Sequence, residues 1–179
     1  AGDGGIFFNE QPFQANAFSA KLSWDFSQSL GLTITQFYAA AGGTKPLTTV
    51  IAGSQDNGIS QYSPLTGGWR KIGGGDGGYV GVDPDNSQNL FLEYVYLAIY
   101  RSNDGGNTIS AYITKTLTDA GDKYTSEFIA PYILDPNFSG QGYAGGTSVW
   151  RSFNLQTANP DDVVWDVIRA PQPPFGGHN

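Results

Sequence analysis

Apolar residues fall along the chain in runs of four to eight, rich in Val, Ile, Tyr and Phe, and each run is closed by Gly, Pro, Asn or Asp. Short antiparallel strands read in this way. The clearest are Leu47–Ala52, Tyr79–Val82, Leu90–Tyr94, Ile99–Arg101 and Trp165–Ile168. No stretch sustains a 3.6-residue apolar period, and the one segment with helical character, "GLTITQFYAAAGG", is also read as a strand.

The runs repeat. Asp83-Pro84 in "VGVDPDN" recurs as Asp135-Pro136 in "YILDPNF", and Tyr100-Arg101-Ser102 recurs as Trp150-Arg151-Ser152, each about 50 residues on, within the range of propeller blades. A third landmark closes each unit: Trp69 with Ile72, Tyr112 with Ile113, and Trp165 with Ile168, with Trp24 as a fourth. The repeats predict an all-β chain of four-stranded antiparallel blades over residues 34–72, 79–113 and 128–168, preceded by an incomplete unit over 1–26. A Pro/Gly-rich tail, 170–179, follows Arg169. At roughly 45 residues per blade this makes three to four blades. The ring is expected to be completed by more chain or by self-association, and the absence of any Met, even at position 1, predicts chain before Ala1.

Composition agrees with this class and excludes others. Gly 25 and Pro 10 in 179 residues, with 14% aromatic and 14% charged, favour strands and tight turns. A net charge of −7 disfavours nucleic acid and anionic membrane surfaces as partners. No apolar run has the length of a membrane span, and no basic segment followed by an apolar one opens the chain. Without cysteine there are no disulfides and no thiol chemistry. The single His178 rules out a His-based metal cluster or a Ser-His-Asp triad. No cofactor and no metal are expected.

The sharpest local motif is "SNDGGNTI", in which Ser102, Asp104, Gly106 and Thr108 fit S-x-D-x-G-x-T, with Ile109 where an aromatic is usual. A short acid bonds backbone N–H groups of its own turn and glycine supplies positive φ, so the expected role is structural. With "LGLTITQFY", "GSQDNG" and "GGGDGGYVGVDP", this stretch resembles the Asp-box (BNR-type) β-propellers, among them sialidases, sortilin-like receptors, xyloglucanase-like hydrolases and photosystem assembly factors. The likeness spans about Gly2 to Ile168 and is greatest to uncharacterised bacterial members. It implies a secreted, cell-surface or periplasmic location.

Candidate chemistry is sparse. The "GDGG" segments at Asp3 and Asp76 supply weak candidates for the paired acids of a glycoside hydrolase, against a bland reading as tight turns. Asp83, Asp85 and Asn86 form an oxygen-rich cluster that reads better as a turn opener than as a calcium loop. Arg70, Arg101, Arg151 and Arg169 are too few for a sialidase carboxylate clamp, and Arg101 and Arg151 occupy matching repeat positions, which suggests a structural role. Trp69, Tyr94, Tyr96 and Trp150 are weighed as a sugar-stacking platform against packing between sheets. Asn137 in "NFS" meets the N-glycosylation rule. The expected function is a non-catalytic binding or scaffolding module for a protein or glycan partner. The alternatives are a fragment of a xyloglucanase-like hydrolase and a structural subunit of a larger extracellular assembly.

Overall fold

The computed structural model describes residues 35–44, 49–64, 66–109 and 111–171. The chain divides into two units, 1–36 and 37–179, and every strand named below belongs to the second. The unit expected over 1–26, with Asp3 and Trp24, lies outside the described residues, as does the tail from 172 onward with His178.

Among the described residues twelve strands form three four-stranded antiparallel sheets, each a simple meander. The first holds β1 (Phe37–Gly42), β2 (Val50–Ser54), β3 (Gly58–Ser63) and β4 (Gly68–Gly73). The second holds β5 (Val80–Val82), β6 (Leu90–Glu93), β7 (Ile99–Ser102) and β8 (Ala111–Tyr112). The third holds β9 (Tyr132–Leu134), β10 (Gly142–Gly145), β11 (Val149–Ser152) and β12 (Asp166–Arg169). The segment "GLTITQFYAAAGG" contributes β1, a strand, and the only helical element among the described residues is a single 3-10 turn at Pro160–Asp162.

Strand alternation sends successive residues to opposite faces, so the middle sheet serves two cores. Val80, Leu90 and Leu92 pack against Ile51 and Ile59 of the first sheet. Phe91 and Ile99 pack against Tyr132, Ala144 and Trp150 of the third. Each fully buried Leu, Ile or Phe side chain contributes about 1.5–3 kcal/mol relative to exposure, so these two interfaces are the main apolar gain of the fold.

Glycines set how closely the first two sheets approach. The "GDGG" segment around Asp76 is not a hairpin: it is the crossover from β4 to β5, threaded between the β2–β3 hairpin and the end of β6. Gly77 N–H donates to the Ser54 carbonyl and Gly78 N–H to the Glu93 carbonyl, both at 2.9 Å. A Cβ on Gly77 would stand 2.3 Å from the Gly58 carbonyl oxygen, and one on Gly78 2.3 Å from a Glu93 carboxylate oxygen. The two glycines are there because backbone meets backbone, which no side chain permits.

The third sheet is anchored by a buried acid. Asp119 accepts from the Ser148 N–H at 2.8 Å, the Trp150 indole N–H at 3.0 Å and the Thr147 hydroxyl at 3.1 Å. Trp150 is 5% exposed and lies inside the second core, whereas Trp69 is 50% exposed. Trp150→Ala is therefore expected to cost about 3–5 kcal/mol through its cavity and the orphaned Asp119, while Trp69→Ala stays under about 1 kcal/mol. Urea denaturation of the two variants checks the contrast.

Candidate functional site

The crossover at Asp76 opens a cleft of about 310 Å³ between the first and second sheets, whose walls include Ile59, Ile72, Leu92, Tyr94 and Tyr100. Tyr94 is 43% exposed and lies over Gly75, where a Cβ would come within 2.6 Å of the ring. Tyr100 faces Tyr112 with ring centroids 5.4 Å apart. Asp76 is the one carboxylate among the described residues of the lining, and its Oδ1 accepts the Asp56 N–H at 3.0 Å, which fixes the carboxylate at the cleft mouth. Asp56 itself adopts a left-handed conformation, φ 58°, in the β2–β3 hairpin, as short acidic side chains tolerate.

A larger groove, about 700 Å³, runs along the first strands of all three sheets, between β1, β5 and β9. Asp85 and Asp135 line it. Asp135 is held by the Asn137 N–H at 2.9 Å and the Gln141 amide at 3.2 Å.

The sequence-predicted residues are dispersed. Trp69 lies on the face of the first sheet turned away from the second, 5.5 Å from both Phe37 and Tyr62. Tyr94 lines the Asp76 cleft, and Trp150 is enclosed in the core and presents no surface for a ligand. These three aromatics make no common platform. Tyr96 is turned instead toward Phe128, edge to face at 5.5 Å. Asn137 faces solvent, but the hydroxyl of Ser139 in the same sequon lies 2.9 Å from each oxygen of buried Asp83.

The Ser102–Thr108 corner is closed by its own side chains. Asp104 Oδ1 accepts from the Ser102 hydroxyl at 2.8 Å and from the N–H groups of Asn107 and Thr108 at 3.0 and 2.9 Å, and Oδ2 takes the Thr108 hydroxyl at 2.7 Å. These bonds pull the Asp104 carboxyl down to about 2, those from Thr108 contributing most. Gly106 supplies φ 85°. A relative of this corner stands in the third sheet, where Ser152 bonds Asn154 at 3.1 Å and Asn154 accepts from Val164 N–H at 2.9 Å. The S-x-N spacing at 152–154 is its only sequence trace, because the bond closes ten positions further on.

Asp83 likewise accepts from the Asp85 and Asn86 N–H groups at 2.8 and 3.1 Å. Among the described residues no group of three or more His, Cys, Asp or Glu is placed to hold a metal ion. None of their helices is long and apolar enough to cross a membrane.

No family model matches the chain, and no curated protein matches it. Solved structures do. The GH74 xyloglucanase from Xanthomonas campestris superposes with a TM-score of 0.57 at 21% identity, over 76% of this chain and 23% of that one. The GH74 enzyme of Niastella koreensis gives 0.52 at 15% identity, over 73% of this chain and 23% of that one. The fold is that of part of a β-propeller. Its three sheets are blades, and the chain spans about a quarter of the length of the enzymes it matches.

Sequence reading missed two buried acids, Asp119, described above, and Glu93. At the end of β6 it is fully buried and accepts three backbone bonds, from Tyr79 at 2.8 Å, Ala130 at 3.0 Å and Leu97 at 3.3 Å. It ties the second blade to the chain entering the third and stabilises the left-handed pair Tyr96 and Leu97, φ 53° and 59°. Burial pushes its carboxyl up to about 7 against these three bonds, which act the other way. Burial, and secondarily the charge on Glu93, also raises the phenol of Tyr132 well above its ordinary value.

Because Glu93 binds its proton more tightly folded than unfolded, its contribution to stability is greatest below the ordinary value of 4.5 and declines as pH rises through about 7. The decline is of order 3 kcal/mol. Urea midpoints measured from pH 4.5 to 8 should fall with this sense, and Glu93→Gln should flatten the curve. Asp104 works oppositely at lower pH: its stabilisation is present above 3.8 and is lost as pH falls through about 2.

Proposed function

We propose that these blades belong to an extracytoplasmic Asp-box propeller that binds glycan without cleaving it, in the cleft between the first and second blades. The observation that carries this reading is the pairing of Tyr94 and Tyr100 with a single carboxylate, Asp76. An exposed aromatic ring stacks on a sugar face and a fixed carboxylate accepts from hydroxyls, so the cleft has the chemistry of carbohydrate recognition. Hydrolysis by the usual route needs a second acid about 5–10 Å from the first, and among the described residues the cleft lining supplies none. Elsewhere Asp83, Glu93, Asp104 and Asp119 are occupied by hydrogen bonds that hold loops in place.

The glycan class is xyloglucan, as suggested by the activity named for the Xanthomonas campestris structure. Titration calorimetry with xyloglucan oligosaccharides is expected to give saturable binding, weakened about three- to tenfold by Tyr94→Ala, the worth of one ring stack. No reducing ends should be released. The hydrolase reading has the same comparison in its favour: release of reducing ends that Asp76→Asn abolishes would replace the present proposal with it.

A further inference from the structure

The two oxygens of the buried Glu93 carboxylate have different partners. Oε1 accepts two N–H groups, from Ala130 at 3.0 Å and Leu97 at 3.3 Å, and so ties the β6–β7 turn to the chain entering the third blade. Oε2 accepts one, from Tyr79 at 2.8 Å, at the end of the crossover that carries Asp76. A carboxylate oxygen offers two lone-pair sites, so Oε1 is filled and Oε2 keeps one open. A proton arriving at Glu93 therefore goes to Oε2, the oxygen that holds the crossover.

There is little slack at that oxygen, since a Cβ on Gly78 would stand 2.3 Å from it. The other side of the crossover is pinned to the first blade, where Gly77 N–H donates to the Ser54 carbonyl and Asp76 Oδ1 takes the Asp56 N–H. The bond from Tyr79 thus helps to set how Asp76 sits relative to the second blade. Tyr94, the exposed ring of the same cleft, follows Glu93 directly in the chain.

We propose that Glu93 is a proton-sensitive latch for the Asp76 cleft: ionised, it fixes the crossover through the Tyr79 N–H; protonated on Oε2, it slackens that bond while the β6–β7 turn stays held. Burial favours the neutral acid and the three N–H donors favour the carboxylate, and the group titrates at about 7, so both states are populated near neutrality. The neutral form spares the desolvation of a buried charge and so adds to global stability, even as it weakens one local bond.

The titratable and charged groups on the elements around Glu93 are Asp76 and Tyr79 on the crossover, Tyr96 on the turn, Arg101 on β7, and Glu127 and Tyr132 on the chain entering the third blade. Arg101 is committed to the carbonyls of Leu155 and Thr157, and the Tyr132 hydroxyl donates to the Phe91 carbonyl at 2.6 Å. Tyr132 feels the charge on Glu93 and stays neutral through this range. A ligand that needs Asp76 and Tyr94 held in place binds the ionised form more tightly, and by linkage draws a proton off Glu93 as it binds. That last coupling rests on the glycan reading of the cleft.

NMR of the whole chain between about pH 5 and pH 8.5 tests the latch without ligand. The Glu93 carboxyl carbon and the Tyr79 amide are expected to titrate together, with smaller responses at Leu97 and Ala130. Glu93→Gln should hold the Tyr79 amide at its low-pH position, and Asp76→Asn, which removes the other carboxylate of the crossover, should leave the titration in place. Calorimetry with xyloglucan oligosaccharides should give binding about three- to tenfold tighter at pH 8 than at pH 6, the worth of one hydrogen bond, with proton release on binding and neither effect in Glu93→Gln. A Tyr79 amide that does not follow the Glu93 carboxyl, or an Ala130 amide that follows it as strongly, overturns the latch. So does a glycan affinity that is the same at both pH values and in the variant. Absence of glycan binding at every pH overturns the function proposed above instead, and the titration alone then decides the latch.

Discussion

Everything in this molecule depends on covering both faces of sheets whose strands are only two to six residues long. Such a sheet cannot bury enough apolar area on one side to offset the entropy of ordering its loops. The second blade resolves this by alternation, giving Leu90 and Leu92 to one neighbour and Phe91 and Ile99 to the other. The polar contacts are arranged around that stacking. Arg70 and Arg101 cross from one blade to the next, and the hydroxyl of Ser139 reaches back to Asp83. At Arg101 and Asp83 the crossing contact gives a buried charge its hydrogen bonds, without which burial would be costly.

Close approach follows from the same requirement. Blades packed face to face bring crossover chain into contact with hairpin backbone, and at Gly77 and Gly78 the gap is too small for a methyl group. Glu93 is packed against one of these glycines, which is why so large an acid is buried in a strand end. Its three N–H donors come from segments before, after and beyond its own blade, so one carboxylate joins what the short strands cannot. The cost is a carboxyl that titrates near 7, and hence a fold whose tightness responds to mild changes in pH.

The chemistry at the surface is correspondingly spare. Acids that a motif search would collect as a catalytic or calcium-binding set are spread over separate loops, where Asp83 and Asp104 close their own turns. Among the described residues the Asp76 cleft and the long groove beside β1, β5 and β9 are open to a ligand. Both lie between sheets, so these two surfaces are by-products of stacking rather than features of any one blade.

The all-β class and the four-stranded repeat were legible from the sequence, because alternation and turn residues act locally and the Asp-Pro and aromatic-Arg-Ser landmarks recur at a fixed spacing. The self-bonding of the Ser102–Thr108 corner could be read for the same reason: its partners are four residues apart or fewer. Contacts between blades left no such trace. That Trp150 is enclosed while Trp69 is exposed depends on which neighbour covers each face, and both sit in similar aromatic-Arg sequences. Glu93 draws its donors from positions 79, 97 and 130, and Asp119 from 147, 148 and 150, separations at which a sequence has no period to show. Local geometry is written in neighbouring residues, whereas burial, pKa and the pairing of charges across blades are properties of the stack and arise only when it forms.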